Sequence, residues 1–163
     1  PPGRSLDDRL EAGELDAVIT LRPPAAFTRG DPRIARLFPD PAAAEQSYYR
    51  ETGIFPIMHA VGVRASLLKA QPDLGRRLYE AFSAAKRLAI AELEITQASK
   101  VTLPWAGEAL RRARGIIGED VWPYGLAANR HTLETELRWS REDGLQARPV
   151  ALDELFDPHC LDT

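Results

Sequence analysis

Punctuation is what most limits the folds open to this chain. Thirteen prolines and eleven glycines divide its 163 residues into short segments. Proline cannot donate a backbone hydrogen bond, and glycine is the common residue just past a helix end. The chain therefore reads as punctuated helices with very few strands. Ser5 and Asp8 have the form of a capping box, Leu6 and Leu10 follow at helical spacing, and Gly13 is a stop. Leu15-Asp16-Ala17-Val18-Ile19-Thr20 is β-branched towards its end and predicts a buried strand, which Arg22-Pro23-Pro24 closes. A helix, a glycine and a strand in that order point to an α/β layer.

Asp31-Pro32 and Asp40-Pro41 repeat one helix-start signal, since Asp caps well and Pro suits the first turn. They predict a short helix over Arg33 to Phe38 and another from Ala42 to about Glu51, ending at Gly53. Ile57 to Arg64 reads as a second strand, with Ile57, His59, Val61 and Val63 on one face. The longest helix is expected from Asp73 to about Ser99. Its apolar stripe would be Leu74, Leu78, Ala81, Phe82, Ala85, Leu88, Ala89 and Leu93, with Arg76, Glu80, Lys86, Arg87 and Glu94 opposite. Leu103-Pro104-Trp105 interrupts the pattern. A helix resumes over Ala106 to Ile117, and Glu119 to Gly125 forms an aromatic-rich loop. A final long helix is expected from Ala127 to Glu142, with Leu133 and Leu137 inward, and a short turn or helix near Asp153 to Phe156.

Composition narrows the functional classes. At 44% apolar and 28% charged, the chain can bury a core and is not a disordered one. Lys and Arg number 21 against 24 Asp and Glu, and net −3 argues against a nucleic-acid binder. The single cysteine, Cys160, excludes a disulfide framework or a thiolate metal site within one chain. No apolar run approaches the roughly 20 residues of a membrane span. The chain opens Pro1-Pro2-Gly3-Arg4 without Met or an apolar leader, as expected of a processed protein or of one that starts inside a longer one. One soluble, cytoplasmic domain is the expectation, with a periplasmic location the alternative if a precursor carries a signal peptide.

Three regions carry candidate chemistry. Glu45, Tyr48 and Tyr49 lead into Thr52-Gly53-Ile54-Phe55-Pro56-Ile57-Met58-His59. His59, held in a strand, reads either as a proton donor near neutral pH or as a core histidine bonded to a backbone carbonyl. Glu45 could orient it and raise its basicity. Trp122-Pro123-Tyr124-Gly125 precedes Asn129-Arg130. Two rings on a stiff turn, with an amide and a guanidinium beyond, suit a planar anion, whereas a hydrophobic plug and a surface ion pair would use the same residues. Arg22, just past the first expected strand, lies where open α/β sheets bind ligands. The three histidines are too scattered for a metal cluster to be read from spacing.

These residues also carry a resemblance. Gly13-Glu14-Leu15-Asp16-Ala17, Arg36-Leu37-Phe38-Pro39-Asp40, Glu45 with Tyr48-Tyr49, Thr52 through His59, Ala81-Phe82 with Ala85-Lys86, Leu103-Pro104-Trp105 and Trp122-Pro123-Tyr124-Gly125 follow in order. With Asn129-Arg130, Gly144-Leu145 and Glu154-Leu155-Phe156, they resemble the 4,5-dihydroxyphthalate decarboxylase family, through its C-terminal half only. The resemblance implies the α/β, two-lobed periplasmic-binding-protein fold of the second type, here helix-rich with few strands. Residues 1–55 would end the second lobe, residues 56–163 would return to the first, and the N-terminal half would be absent. It implies a carboxy-lyase that needs no cofactor and no metal, acting on a small aromatic carboxylate, with no nucleic-acid or membrane partner. A homo-oligomer or another pairing would complete the fold. His59 would be the acid or base and Glu45 its orienter. Arg130 and Arg64 would clamp anions, Asn129 and Tyr49 would bond hydroxyls, and Trp122 or Tyr124 would cover the ring. Arg22 and Thr52 complete the ligand-contact set. A non-catalytic solute receptor of an ATP-driven importer, or an inactive fragment, are the alternatives on the same fold.

Overall fold

The computed structural model describes residues 3–95, 97 and 100–163. The chain divides into two compact units, Pro1–Glu45 and Gln46–Thr163.

In the first unit, α1 (Leu6–Glu11) carries the expected capping box. Ser5 Oγ accepts from the Asp8 amide at 3.1 Å, and Asp8 Oδ2 accepts from the Ser5 amide at 3.0 Å. The Ser5 backbone bond is the main cause that holds the Asp8 carboxyl below its usual range. α2 (Ala25–Thr28) is tied to α1 by the Ala25 amide, which donates to Asp7 Oδ2 at 3.2 Å, and Ala26 is buried. The Leu15–Thr20 segment forms no ladder among the described residues, and Ile19 is fully exposed. A strand exists only where a neighbour takes up its backbone groups, and the described residues supply none here.

The helix expected over Arg33–Phe38 is also absent. Asp31 turns its carboxylate onto the following backbone instead: Oδ1 accepts from the Arg33 amide at 3.0 Å, and Oδ2 pairs with the guanidinium at 2.6 Å. Such a local bond competes with helix formation, and Pro39 steers Phe38 away from helical angles. The Arg33 side-chain bond is the first cause that pulls the Asp31 carboxyl down to about 2. Because the folded value lies below the unfolded one, the stabilisation is complete above about pH 4 and is lost as the pH falls towards the folded value. A carbon-detected NMR titration of the Asp31 carboxyl should show that low midpoint. Arg33→Gln should return it towards the ordinary aspartate range.

α3 (Pro41–Thr52) runs across the boundary into the second unit and stops at Gly53, whose φ of 68° is the left-handed C-cap geometry. The second unit then holds α4 (Ala65–Ala70), α5 (Leu74–Glu94), α6 (Ala106–Ile117), α7 (Leu126–Glu142), α8 (Leu152–Leu155) and a 3₁₀ turn, Pro158–Cys160. Ile54, Leu110, Leu126 and Leu152 are its buried apolar side chains. The Ile57–Arg64 segment, read as a strand, has no ladder among the described residues, and Phe55, Ile57, Met58 and Val61 are exposed.

α5 ends at Glu94, short of the expected Ser99, which lies with residues 96 and 98 outside the described residues. Its packing also departs from the expected stripe. Phe82 and Leu88 are 47% and 69% exposed, while Lys86, assigned to the solvent face, is covered. Periodicity finds an apolar face but not what lies against it. Leu74, Leu78 and Leu93 of the expected stripe are half-buried, and α5 is further held by Gly75 and Arg76 at its start, Lys86 in the middle and Glu94, paired to Arg114 of α6, at its end.

Gly115, on the other hand, faces open space within α6. Gly115→Ala should therefore raise stability by about 0.8 kcal/mol through helix propensity alone, seen as a higher urea midpoint at unchanged m.

The last residues, 157–163, join two helices. Arg76 of α5 pairs with Asp162. At the start of α7, the Ala127 amide donates to the Thr163 carbonyl at 2.6 Å, and the Leu126 amide donates to Thr163 Oγ1 at 3.4 Å. Two otherwise orphaned helix-end donors are thereby satisfied.

Candidate functional site

Four parts of the second unit meet around the loop from Gly118 to Gly125. The loop is pinned through its own backbone. Asp120 Oδ1 accepts from the Trp122 amide at 3.2 Å, and Lys86 Nζ donates to the Trp122 carbonyl at 2.9 Å. Asn129, on the first turn of α7, donates from one amide nitrogen to the Pro123 and Gly125 carbonyls, at 3.0 and 2.8 Å. Lys86 also bonds both Asp120 oxygens, at 2.9 and 2.6 Å, and sits 4.7 Å from the centre of the Tyr124 ring.

The other wall comes from the end of α3 and the residues after it. Phe55 meets Trp122 edge-on, with ring centres 5.4 Å apart at 65°. Such edge-to-face pairs hold rings at a defined angle. Thr52 Oγ1 bonds the Tyr48 carbonyl at 2.7 Å and accepts from the Ile54 amide at 3.1 Å, which fixes the exit from the helix. His131 Nε2 lies 3.0 Å from the Thr52 carbonyl and so ties α7 to the end of α3. Tyr49 donates to the Ile117 carbonyl at 3.4 Å. The Thr52–His59 and Trp122–Gly125 blocks, 70 residues apart at their starts, thus contribute to one cluster. Phe55, Trp122 and Tyr124 keep more than a third of their surfaces open.

The remaining candidates have other surroundings. Asn129 spends both amide hydrogens on the loop. Arg130 pairs with Glu134 at 3.3 Å. It lines a cavity of about 380 Å³ with Leu137, Val150, Ala151, Leu152 and Asp153, and none of the three rings borders that cavity. Arg64 is exposed as the N-cap of α4. His59 is exposed in the segment between α3 and α4. Glu45 and Arg22 belong to the first unit, and both are exposed. No group of three His, Cys, Asp or Glu side chains converges as metal ligands among the described residues. No helix among them is long and apolar enough to cross a membrane.

Lys86, Asp120, Phe55 and His131 are central here and were not singled out for roles from sequence. A lysine opposite an apolar stripe reads as solvated, and its partner Asp120 lies 34 residues on, beyond any local period. The resemblance, which included Ala85-Lys86 and the Trp122–Gly125 block two residues past Asp120, was the signal that could have drawn attention to the pair.

The chain is similar to bacterial decarboxylases of aromatic acids. It is 40% identical, over all 163 residues, to a 4,5-dihydroxyphthalate decarboxylase of Comamonas testosteroni. A protein of the same description from Pseudomonas putida is 44% identical over 50 residues, 31% of this chain and 19% of that protein. The chain is thus related to the 4,5-dihydroxyphthalate decarboxylases, and the resemblance read from its motifs extends along its full length. It spans 49% of the Comamonas relative, a share consistent with the expected C-terminal half. No protein-family model matches the chain.

Proposed function

We propose that this chain supplies the aromatic-binding part of a non-oxidative decarboxylase for a hydroxylated aromatic dicarboxylate, 4,5-dihydroxyphthalate or a close analogue. The observation that carries this reading is the 40% identity along the whole chain to a relative so described. The open rings of Phe55, Trp122 and Tyr124 on a pinned loop support it. On the same reading, the chain is the C-terminal portion of an α/β two-lobed fold, in which Leu15–Thr20 and Ile57–Arg64 pair with strands.

The reaction is a proton-for-carboxylate exchange with no net oxidation or reduction. Each carboxylate of this substrate has a hydroxyl para to it. Ionising that hydroxyl pushes electron density to the carbon that bears the carboxylate. A general acid protonates this carbon, the bond to the carboxylate breaks, and its electron pair returns to the ring as carbon dioxide leaves. The net reaction consumes one proton and yields the dihydroxybenzoate. His59 is the acid, or the base that ionises the hydroxyl. Arg130 or Arg64 holds the second carboxylate. Asn129 Oδ1 and Tyr49 meet the hydroxyls, and Trp122 or Tyr124 covers the ring.

The test is titration of the full chain with 4,5-dihydroxyphthalate, following tryptophan emission and carbon dioxide release together. Saturable quenching is expected, with release that is lost in His59→Ala. Quenching without release favours a receptor role on the same site. Neither signal at millimolar ligand overturns the proposal, and unchanged release in His59→Ala removes that residue from the mechanism.

A further inference from the structure

We propose that Lys86 is a positioning residue whose ammonium, bridging Asp120 and the Trp122 carbonyl, sets the Trp122 and Tyr124 rings for a flat, electron-rich ligand. The proposal rests on the reading that these rings take an aromatic acid.

An ammonium has three hydrogens to donate. Those of Lys86 face three acceptors, Asp120 Oδ1 at 2.9 Å, Asp120 Oδ2 at 2.6 Å and the Trp122 carbonyl at 2.9 Å. No donor remains for a substrate carboxylate, so Lys86 is not an anion clamp. Its effect is on the loop. The Trp122 carbonyl is held by Lys86 and the Trp122 amide by Asp120, the same carboxylate that Lys86 grips. With both polar groups of its backbone fixed, Trp122 has a defined direction for its side chain. Phe55 then meets the ring edge-on.

Tyr124 is fixed from the same atom. The ammonium stands 4.7 Å from the centre of its ring. A cation against a ring is held by the ring's quadrupole and draws its electron density. The opposite face then favours an electron-rich partner, as a dihydroxylated ring is. The side chains differ in exposure as this role requires: Lys86 is 13% exposed and Asp120 55%. The cation is sheltered where it can act on the ring, while the carboxylate keeps part of its hydration. A suitable comparison lies in the same unit. Arg114, 26% exposed, pairs with Glu94 of α5 and reaches the Glu119 carbonyl at 3.4 Å, at the start of the same loop. It has no bond to Trp122 and no aromatic contact among the described residues, so it separates general support of the loop from support of the rings.

The experiment uses the full chain with Trp105→Phe and Trp139→Phe, leaving Trp122 as the single reporter. Lys86→Met, Lys86→Arg and Arg114→Met are compared in this background, at a temperature where circular dichroism shows each to be folded. Without ligand, Lys86→Met should raise the access of acrylamide to Trp122, while Arg114→Met leaves it unchanged. With 4,5-dihydroxyphthalate, Lys86→Met should lose about tenfold in affinity, the upper end of what an aromatic pair is worth. Lys86→Arg, which keeps charge and donors, should regain part of it, and Arg114→Met should bind as the parent does. Unchanged access in Lys86→Met, or equal losses in Lys86→Met and Arg114→Met, overturns the positioning role. If the parent itself fails to bind, the aromatic-acid reading falls, and the ligand-free access measurement still decides whether Lys86 positions Trp122.

Discussion

Gly125→Ala should cost about 3 kcal/mol and lower the melting temperature by roughly 6–12 °C, the sum of a backbone strain and a steric conflict. Gly125 has φ 94°, a conformation that L side chains rarely adopt. A Cβ there would stand 2.6 Å from the Thr163 carbonyl carbon and 2.8 Å from its oxygen. These are backbone atoms, so no rotamer change relieves the overlap. Moving Thr163 away would also strip the Leu126 and Ala127 amides of their acceptors at the start of α7. Calorimetry of the variant checks the figure. A loss below about 1 kcal/mol would mean that residues 157–163 detach from α7 at little cost.

Gly75→Ala is the second large effect, and two opposing terms decide its sign. Alanine is better than glycine inside a helix by about 1 kcal/mol. At Gly115 nothing opposes that gain. At Gly75 the new methyl would overlap the Asp157 carboxylate and come 3.0 Å from Cys160 Sγ. Asp157 cannot simply rotate away, because its Oδ1 accepts from the His159 amide at 3.1 Å, a bond that caps the 3₁₀ turn. That backbone bond is also the first cause of its lowered pKa. Overpacking of this kind costs about 1–3 kcal/mol, and breaking the cap adds about 1 more. The net expectation is a loss of about 2 kcal/mol, read as a lower urea midpoint. A gain like that at Gly115 would show that the 3₁₀ turn yields freely. Both substitutions press on one short segment, residues 157–163, so their combined cost should fall short of the sum.

Local chemistry made much of the helical layout legible. Ser5 with Asp8, Gly53 after α3 and Gly118 after α6 are signals confined to a few residues, and the helices they bound lie where the sequence places them. α2 and α4, without a side-chain hydrogen bond at their N-caps, offered no such signal. The stretch after Asp31 went the other way, because the same Asp that can cap a helix bound Arg33 instead. The aromatic cluster was half legible. Its rings were visible as Trp122 and Tyr124, but their supports are long-range: Lys86 to Asp120 and His131 to Thr52 join residues 34 and 79 positions apart. Alternation in Ile57–Arg64 described side-chain placement, not the presence of a neighbouring strand.

That segment contains the one methionine of the chain. Met58 is 56% exposed, between the end of α3 and the start of α4. It gives the protein a built-in chemical footprint. Mild peroxide converts an accessible thioether to its sulfoxide, and with the free Cys160 thiol first alkylated, peptide mass assigns the added oxygen to Met58. Oxidation of the free chain should proceed at nearly the pace of a small methionine peptide. Any strand, domain or ligand that comes to lie over this stretch will announce itself by slowing that one reaction.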